Sequence, residues 1–244
     1  SDVGSCLLGD RRLGEQGVHK KWPFSMSEKL ADGVWLDGDV IRHGDTALAA
    51  VSDIKVPGRH NIENTLAALA AVAAGEFQWD RVLDGLRGFG GVEHRIEFVE
   101  NLEGIRFYND SKSTNLDSLR VALESFNEPI ALIMGGKGKG EDYHTIADLV
   151  EEKVKGLVLI GEEAKPIRKA IGRRVSTCLV AKDMNDAVLR ATASVNSPGI
   201  VLLSPGCASF DWYENFEERG RDFKEKVLEL ARVRRLATET LERR

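Results

Sequence analysis

The stretch Asn109-Asp110-Ser111-Lys112-Ser113-Thr114-Asn115 decides how this chain is read. Before it runs Ile105-Arg106-Phe107-Tyr108, whose alternation suits a strand. After it Leu116, Leu119, Val121, Leu123 and Phe126 recur at helical spacing. The polar cluster therefore lies where a strand ends and a helix begins. Open α/β sheets bind ligands at the carboxyl ends of their strands, and a helix N-terminus there offers free N–H groups to an anion. A plain turn needs one cap, which Thr114 or Asn115 would supply. An aspartate, a lysine and several hydroxyl and amide groups together exceed that need and point to a binding site.

Downstream, the pattern predicts a strand over 130–134, a helix over 143–152, a strand over 157–160 and a helix over 164–171. A strand over 174–180, a helix over 184–195 and a strand over 200–203 follow. The last helix starts at Tyr213 with Phe216, Phe223, Val227 and Leu230 on one face, and its charged end, 236–244, is expected to fray. Strands alternating with helices imply a Rossmann-like, doubly wound α/β fold with a mostly parallel sheet. Residues 95–99 and 105–108, flanking a turn over 100–104, read as a hairpin that adds an antiparallel edge.

In such a sheet the carboxyl ends of the parallel strands share one edge, so two further loops join the first. Gly135-Gly136-Lys137-Gly138-Lys139-Gly140 exposes backbone amides and two ammonium groups, which suits a carboxylate or phosphate. It is not a Walker A loop, and no stretch of the chain matches Gly-x-x-x-x-Gly-Lys-Ser/Thr. Ser204-Pro205-Gly206-Cys207-Ala208-Ser209-Phe210 is built mainly of small residues that let a ligand approach the backbone. Cys207 could serve as a nucleophile but, with no histidine near it in sequence, reads rather as a small, partly buried thiol. Together the loops describe a pocket for a small anionic molecule.

Upstream, residues 1–56 carry short apolar runs between turns, with Asp37-Gly38-Asp39 as a hairpin signal. His19 and His43 stand alone in polar surroundings and read as solvated. From Gly58-Arg59-His60-Asn61-Ile62-Glu63-Asn64 the chain enters an alanine-rich helix over 66–74 that Gly75 closes. Asn61 and Asn64 share a face near its start, placed to cap it or to hydrogen-bond a ligand such as a purine edge. A short helix is expected over 79–89, and Gly88, Gly90 and Gly91 around its end read as a hinge or interdomain linker. The expected domains are 1–93 and 94–244.

A length of 244 residues, 42% hydrophobic and 30% charged, fits two modest soluble domains. A net charge of −5 gives no footprint for nucleic acid, and no apolar run approaches the ~18 residues of a membrane span. Cys6, Cys178 and Cys207 are odd in number and far apart, which argues against a disulfide framework or zinc site and for a reducing cytoplasm. With no signal peptide, and Ser1 in place of an initiator Met, the sequence reads as a cytoplasmic piece of something longer.

Six motifs in order resemble the Mur ligases: 58–64, His94-Arg95-Ile96-Glu97, 109–115, the glycine loop, 204–211, and Glu214-Asn215-Phe216-Glu217-Glu218-Arg219-Gly220. Within that family the likeness is to the branch that adds D-glutamate. Ser113 and Gly206 stand where the family usually has alanine, and both keep the position small. The resemblance implies the closing part of a central ATPase domain, without its Walker A loop, joined to a complete C-terminal amino-acid-binding domain. It implies ATP-dependent amide formation, in which the carboxylate of UDP-N-acetylmuramoyl-L-alanine becomes an acyl phosphate that the amine of D-glutamate attacks. It assigns Thr114, Lys139, Ser209, Phe210 and Phe216 to D-glutamate, and Asn61, Asn64, Arg95 and Asp110 to the nucleotide. It places Lys112 beside the phosphoryl-transfer centre. Magnesium in the family is held mainly by residues this chain lacks, so no metal ligand is assigned. The implied partners are small molecules, with no nucleic acid or membrane, and the protein is expected to be a monomer whose 244 residues alone are inactive. The alternatives are a freestanding non-catalytic binding module or another Mur or folylpolyglutamate-type ligase. The diaminopimelate-adding branch would show Asp-Asn-Pro-Arg near the third strand end, and that string is absent.

Overall fold

The computed structural model describes residues 3–8, 20–75 and 77–242, with side chains for 22–75 and 77–238. His19 and the Cys6 side chain lie outside the described residues. The chain divides into two compact units, Ser1–Gly90 and Gly91–Arg244. The division falls between two of the glycines read as a linker, three residues before the expected boundary. Among the described residues no helix is long and apolar enough to cross a membrane.

The second unit is built on six strands: β6 (Glu97–Leu102), β7 (Ile105–Asn109), β8 (Ile130–Gly135), β9 (Val154–Ile160), β10 (Thr177–Val180) and β11 (Gly199–Leu203). Their spatial order is β10-β9-β8-β11-β7-β6, parallel throughout except for the antiparallel β6-β7 pair. Between them come α3 (Leu116–Glu124), α4 (Ala147–Lys153), α5 (Ala164–Ile171) and α6 (Met184–Ala193), with α7 (Phe216–Glu242) at the end. A strand buries alternate residues on opposite faces, and this sheet has an apolar core on each. Leu132, Met134, Leu157 and Leu159 face α3, α4 and α5, whereas Ala131, Ile133, Val158 and Ile160 face α6 and α7.

Right-handed crossovers explain that partition. From β7 to β8, β9 and β10 the chain steps outward with its helices on one face. To return and insert β11 between β8 and β7, it must cross on the other, and α6 does so. The result is the doubly wound sheet the alternation implied, with the carboxyl ends of β7, β11 and β8 side by side.

Several boundaries differ from the sequence reading by a few residues, β9 starting at Val154 rather than 157 and α7 at Phe216 rather than Tyr213, and two of the differences have a clear local cause. The hairpin turn is not 100–104 but the pair Glu103-Gly104, at φ 53° and 83°, because Glu100, Asn101 and Leu102 pair with β7. Left-handed φ at both central residues matches the right-handed twist of the flanking strands. A register shift between Phe98 and Glu100 precedes it. Strand β10 begins at Thr177 rather than at 174, since Arg174 closes the turn after α5 through its amide to the Ile171 carbonyl (2.9 Å) and ion-pairs with Asp148 and Glu151.

The first unit is a five-stranded sheet of β1 (Val3–Leu8), β2 (Lys20–Ser25), β3 (Val34–Asp37), β4 (Val40–His43) and β5 (Thr46–Ala50) in sequence order. Helix α1 (Arg59–Ala73) buries Leu66, Leu69 and Ala70 against Val34 and Ile41, and α2 (Trp79–Gly88) adds Trp79 and Val82 to that core. The α1 helix starts seven residues earlier than the alanine-rich run suggested. His43 is not solvated: it is half-buried, with its ring 5.9 Å from that of Trp79.

Candidate functional site

The loops after β7, β11 and β8 are tied to one another mainly by their own backbones. Asp110 N–H donates to the Leu203 carbonyl (2.7 Å), Gly206 N–H to Ser113 (3.0 Å) and Gly135 N–H to Pro205 (2.9 Å). Lys137 and Ala208 exchange two bonds, of 2.8 and 3.0 Å. Gly136 sits at φ 133°, where a Cβ would come within 2.3 Å of the Ala208 carbonyl oxygen, so only glycine fits between these loops.

Arg219, on α7, fastens the assembly from beneath and is 1% exposed. Its Nε donates to Ser111 Oγ (3.0 Å), Nη2 to the Ser111 carbonyl (2.8 Å), and Nη1 to the carbonyls of Cys207 (3.1 Å) and Ala208 (3.2 Å). All four acceptors are neutral. Burial pulls the guanidinium down to about 10, so it stays charged at neutral pH. Burial likewise pushes the Cys207 thiol up to about 11, which keeps it protonated and unreactive.

Asp110 is 4% exposed, and its carboxylate turns inward. Oδ1 accepts from Ile96 N–H (3.2 Å) and Oδ2 from Ser204 Oγ (2.7 Å). Burial raises its pKa from 3.8 to about 7, against the opposing effects of Ser204, the Ile96 amide and Arg95. Each oxygen of this carboxylate thus has a partner inside the protein.

The segment 94–97 is held under strain. His94 and Ile96 have φ of 65° and 45°, values rare for residues other than glycine and most of all for a β-branched one. Five hydrogen bonds impose the shape. Lys112 N–H donates to the His94 carbonyl (3.0 Å), Asp110 accepts from Ile96, Glu97 Oε2 accepts from His94 N–H (3.0 Å), and Asn109 Nδ2 reaches both Glu97 Oε2 and His94 Nδ1 at 2.9 Å. Arg95 lies between the two strained residues, with its side chain exposed. Strain of this kind persists where the surroundings over-determine it, often at functional sites. Burial depresses the His94 pKa, and an amide donor at Nδ1 leaves the ring proton on Nε2.

The structure thus brings Arg95, Asp110, Lys112, Thr114, Lys139, Ser209, Phe210 and Phe216 to the strand-end edge of the second unit. Arg95, Lys112, Lys139 and Phe210 are exposed there, Thr114 and Phe216 are half-buried, and Ser209 is buried. Among the described residues, Arg95, Lys112, Lys137 and Lys139 form no ion pair. The Phe216 carbonyl accepts from Ser111 Oγ (2.7 Å), and its ring stands edge-on to His94. Asn61 and Asn64 belong to the first unit. There, with Ala68, Leu69, Val72, Val82 and Leu86, they line a mostly apolar pocket of about 410 Å³. Asn61 Nδ2 donates to the Pro57 carbonyl (2.6 Å).

The amino end of α3 is not free for an anion, contrary to the reading of 109–115. Glu141 Oε2 accepts from Leu116 N–H (3.1 Å), and the Asn115 side chain caps Ser118 N–H (2.9 Å). Sequence reasoning missed Glu141, and it missed Arg219 and Ser204 as well. Arg219 had a signal, because it falls in register with Phe223, Val227 and Ala231 on the buried face of α7.

Residues 94–207 match the family described as Mur ligase, glutamate ligase domain, so the second unit carries a Mur ligase domain of that description. Among curated relatives it is 45% identical over 212 residues to the UDP-N-acetylmuramoylalanine--D-glutamate ligase of Pelotomaculum thermopropionicum, covering 85% of this chain and 47% of that protein. It is 42% identical over 235 residues to the protein of the same name from Desulfitobacterium hafniense, covering 93% and 52%. The chain spans about half the length of the curated relatives it matches. In fold it is similar to UDP-N-acetylmuramate-alanine ligase from Thermotoga maritima, with a TM-score of 0.56 at 20% identity over 78% of this chain and 42% of the other. A folylpolyglutamate synthase of Mycobacterium tuberculosis gives a TM-score of 0.52 at 17% identity over 68% and 40%.

Proposed function

We propose that the chain is the C-terminal half of an ATP-dependent, ADP-forming ligase that adds D-glutamate to UDP-N-acetylmuramoyl-L-alanine, the reaction its relatives' names describe. The observation that carries this reading is the strand-end edge, where exposed Lys112 and Lys139, neither in an ion pair among the described residues, and half-buried Thr114 stand on loops whose bases are bonded to one another. A dicarboxylic amino acid requires cations and hydroxyl donors, and charge-assisted bonds to them are the strong ones. Lys139 and Thr114 hold carboxylates of D-glutamate, with Ser209, Phe210 and Phe216 enclosing it. Lys112 steadies the negative charge that grows as the amine attacks the acyl phosphate.

On this reading residues 1–93 contribute part of an ATP-binding domain and 94–244 the amino-acid-binding domain. The pocket beside Asn61 and Asn64 has the size and apolar lining to take an adenine ring, with amides at its edge. Exposed Arg95 is directed to phosphate, and Asp110 shapes the Arg95 segment from inside. Magnesium finds no fit here. The one cluster of potential ligands among the described residues, Glu93, His94 and Glu97, is bridged by the Lys224 ammonium at 2.6 and 2.9 Å, and magnesium prefers an oxygen octahedron. No step is therefore routed through it on this chain. The reading carries with it a cytoplasmic monomer.

The test is steady-state kinetics in the full-length gene product, varying each substrate in turn. A bond to a charged group contributes roughly 1.5–3 kcal/mol, so Lys139→Ala raises the D-glutamate requirement about ten- to a hundredfold with little effect on ATP. Arg95→Ala does the reverse. If Lys139→Ala leaves D-glutamate dependence intact, the glycine loop is only a turn.

A further inference from the structure

Lys139 stands on a loop that does little to hold itself. Among the described residues, Gly138, Lys139 and Gly140 take part in no hydrogen bond, and Gly140 sits at φ 80°. Up to Lys137 the loop is fixed by Ala208, and beyond Gly140 by Glu141 on α3. Between those points Gly138 lies against the side chain of Glu163, which follows β9. A Cβ on Gly138 would lie 2.3 Å from Glu163 Oε1, so the loop backbone rests directly on that carboxylate. Glu163 in turn is held at both ends. Its N–H donates to the Gly136 carbonyl (3.0 Å), and its Oε2 accepts from Tyr143 Oη (3.0 Å). Tyr143 is 6% exposed, packs in the core beneath α3 to α5, and brings the same hydroxyl within 3.4 Å of Cys207 Sγ. The loops after β8, β9 and β11 therefore meet at one phenol.

We propose that Tyr143 and Glu163 are positioning residues that set the affinity for the amino-acid substrate. Their hydrogen bond buttresses Gly138 and so fixes where Lys139 presents its ammonium to a carboxylate. This rests on the reading of Lys139 as a carboxylate ligand. The phenol is needed for its hydroxyl, since the ring alone would fill the core. The carboxylate is needed as an acceptor and as a surface for Gly138, not for its charge. A negative charge near a dicarboxylate pocket would otherwise be a disadvantage.

The experiment is a set of variants in the full-length ligase: Tyr143→Phe, Glu163→Ala, Glu163→Gln and Lys139→Ala, together with Tyr143→Phe in the Lys139→Ala background. Loss of one buried hydrogen bond corresponds to about a fivefold change, so Tyr143→Phe and Glu163→Ala each raise the D-glutamate KM about fivefold or more. The KM for ATP and kcat stay within about twofold. Glu163→Gln, which keeps an oxygen acceptor and the same shape, restores most of the affinity. Because the effect runs through Lys139, Tyr143→Phe adds nothing once Lys139 is alanine, a coupling that a general loss of stability would not produce. If Lys139→Ala has its effect while Tyr143→Phe and Glu163→Ala leave the D-glutamate KM unchanged, or if the Tyr143 effect is undiminished without Lys139, the buttress is refuted and the ligase reading stands. If Lys139→Ala itself changes nothing, the ligase reading of the loop falls, and the buttress with it.

Discussion

Replacing Asp110 with asparagine should make the protein more stable at alkaline pH than the natural chain. Buried Asp110 keeps its proton to about pH 7, whereas an unfolded aspartate releases it near 3.8. The folded state therefore binds the proton more tightly. Its contribution to stability is complete below about pH 4 and is lost as pH rises through about 7. The interval from 3.8 to about 7, at ~1.4 kcal/mol per pH unit, corresponds to roughly 4 kcal/mol. That is a large part of a domain stability of ~5–15 kcal/mol. Asparagine fits the site without rearrangement. Its Oδ1 accepts from Ile96 N–H as the carboxylate does, and its Nδ2 donates to Ser204 Oγ, a hydroxyl able to accept once it rotates. The assay is urea unfolding of the 244-residue chain at about pH 5 and about pH 8.5, followed through the Trp212 indole resonance. His94, whose pKa is depressed by burial, gives the opposite slope below its ordinary value of 6.5. The difference between natural chain and variant, rather than the raw slope, therefore isolates Asp110. A variant less stable than the natural chain at about pH 8.5, or a difference that does not change with pH, would refute the argument.

Arg219→Lys keeps the charge but loses the fork that reaches Ser111, Cys207 and Ala208 at once, leaving buried carbonyls unpaired. It should cost about 2–4 kcal/mol in the same urea titration; a change under about 0.5 kcal/mol would show the guanidinium geometry to be dispensable. Because no stretch of the chain matches a Walker A loop, purified residues 1–244 should release no ADP when given D-glutamate, the muramoyl substrate and ATP. Sustained turnover in a coupled ADP assay would overturn this.

What the sequence disclosed depended on whether a feature has a period. Strand-helix alternation does, and every helix and parallel strand of the second unit was readable from it, to within a few residues at each end. The hairpin turn lies later than the pattern suggests because the register shift between Phe98 and Glu100 breaks the two-residue period ahead of it. The polar bonds that close the site have no period at all. Ser204 meets Asp110 across 94 residues and Arg219 meets Ser111 across 108, and nothing local marks either pair. The spacing on α7 could have exposed Arg219, since a charged residue in register with a buried face must find partners inside.

The misread N-terminus of α3 bears most directly on how the site selects its ligand. A strand-to-helix loop commonly binds an anion through backbone amides and the helix dipole, which recognise negative charge with little regard to the rest of the molecule. Here Glu141 takes the first amide of α3, Asn115 takes another, and Asp110 and Ser204 bond to each other within the loops. Two of the α3 amides that could bind any anion are thus taken by the chain's own side chains. What stays open to a ligand is the backbone of Gly138, Lys139 and Gly140 together with a small set of side chains, chiefly Lys112, Thr114 and Lys139. On the proposed reading, ammonium and hydroxyl groups read the two carboxylates of a dicarboxylic amino acid, as a lone helix terminus cannot, and selectivity over phosphate or acetate follows from the internal bonds as much as from the residues that would touch it. Opening the α3 amide by Glu141→Ala should accordingly broaden anion binding rather than strengthen the binding of D-glutamate alone.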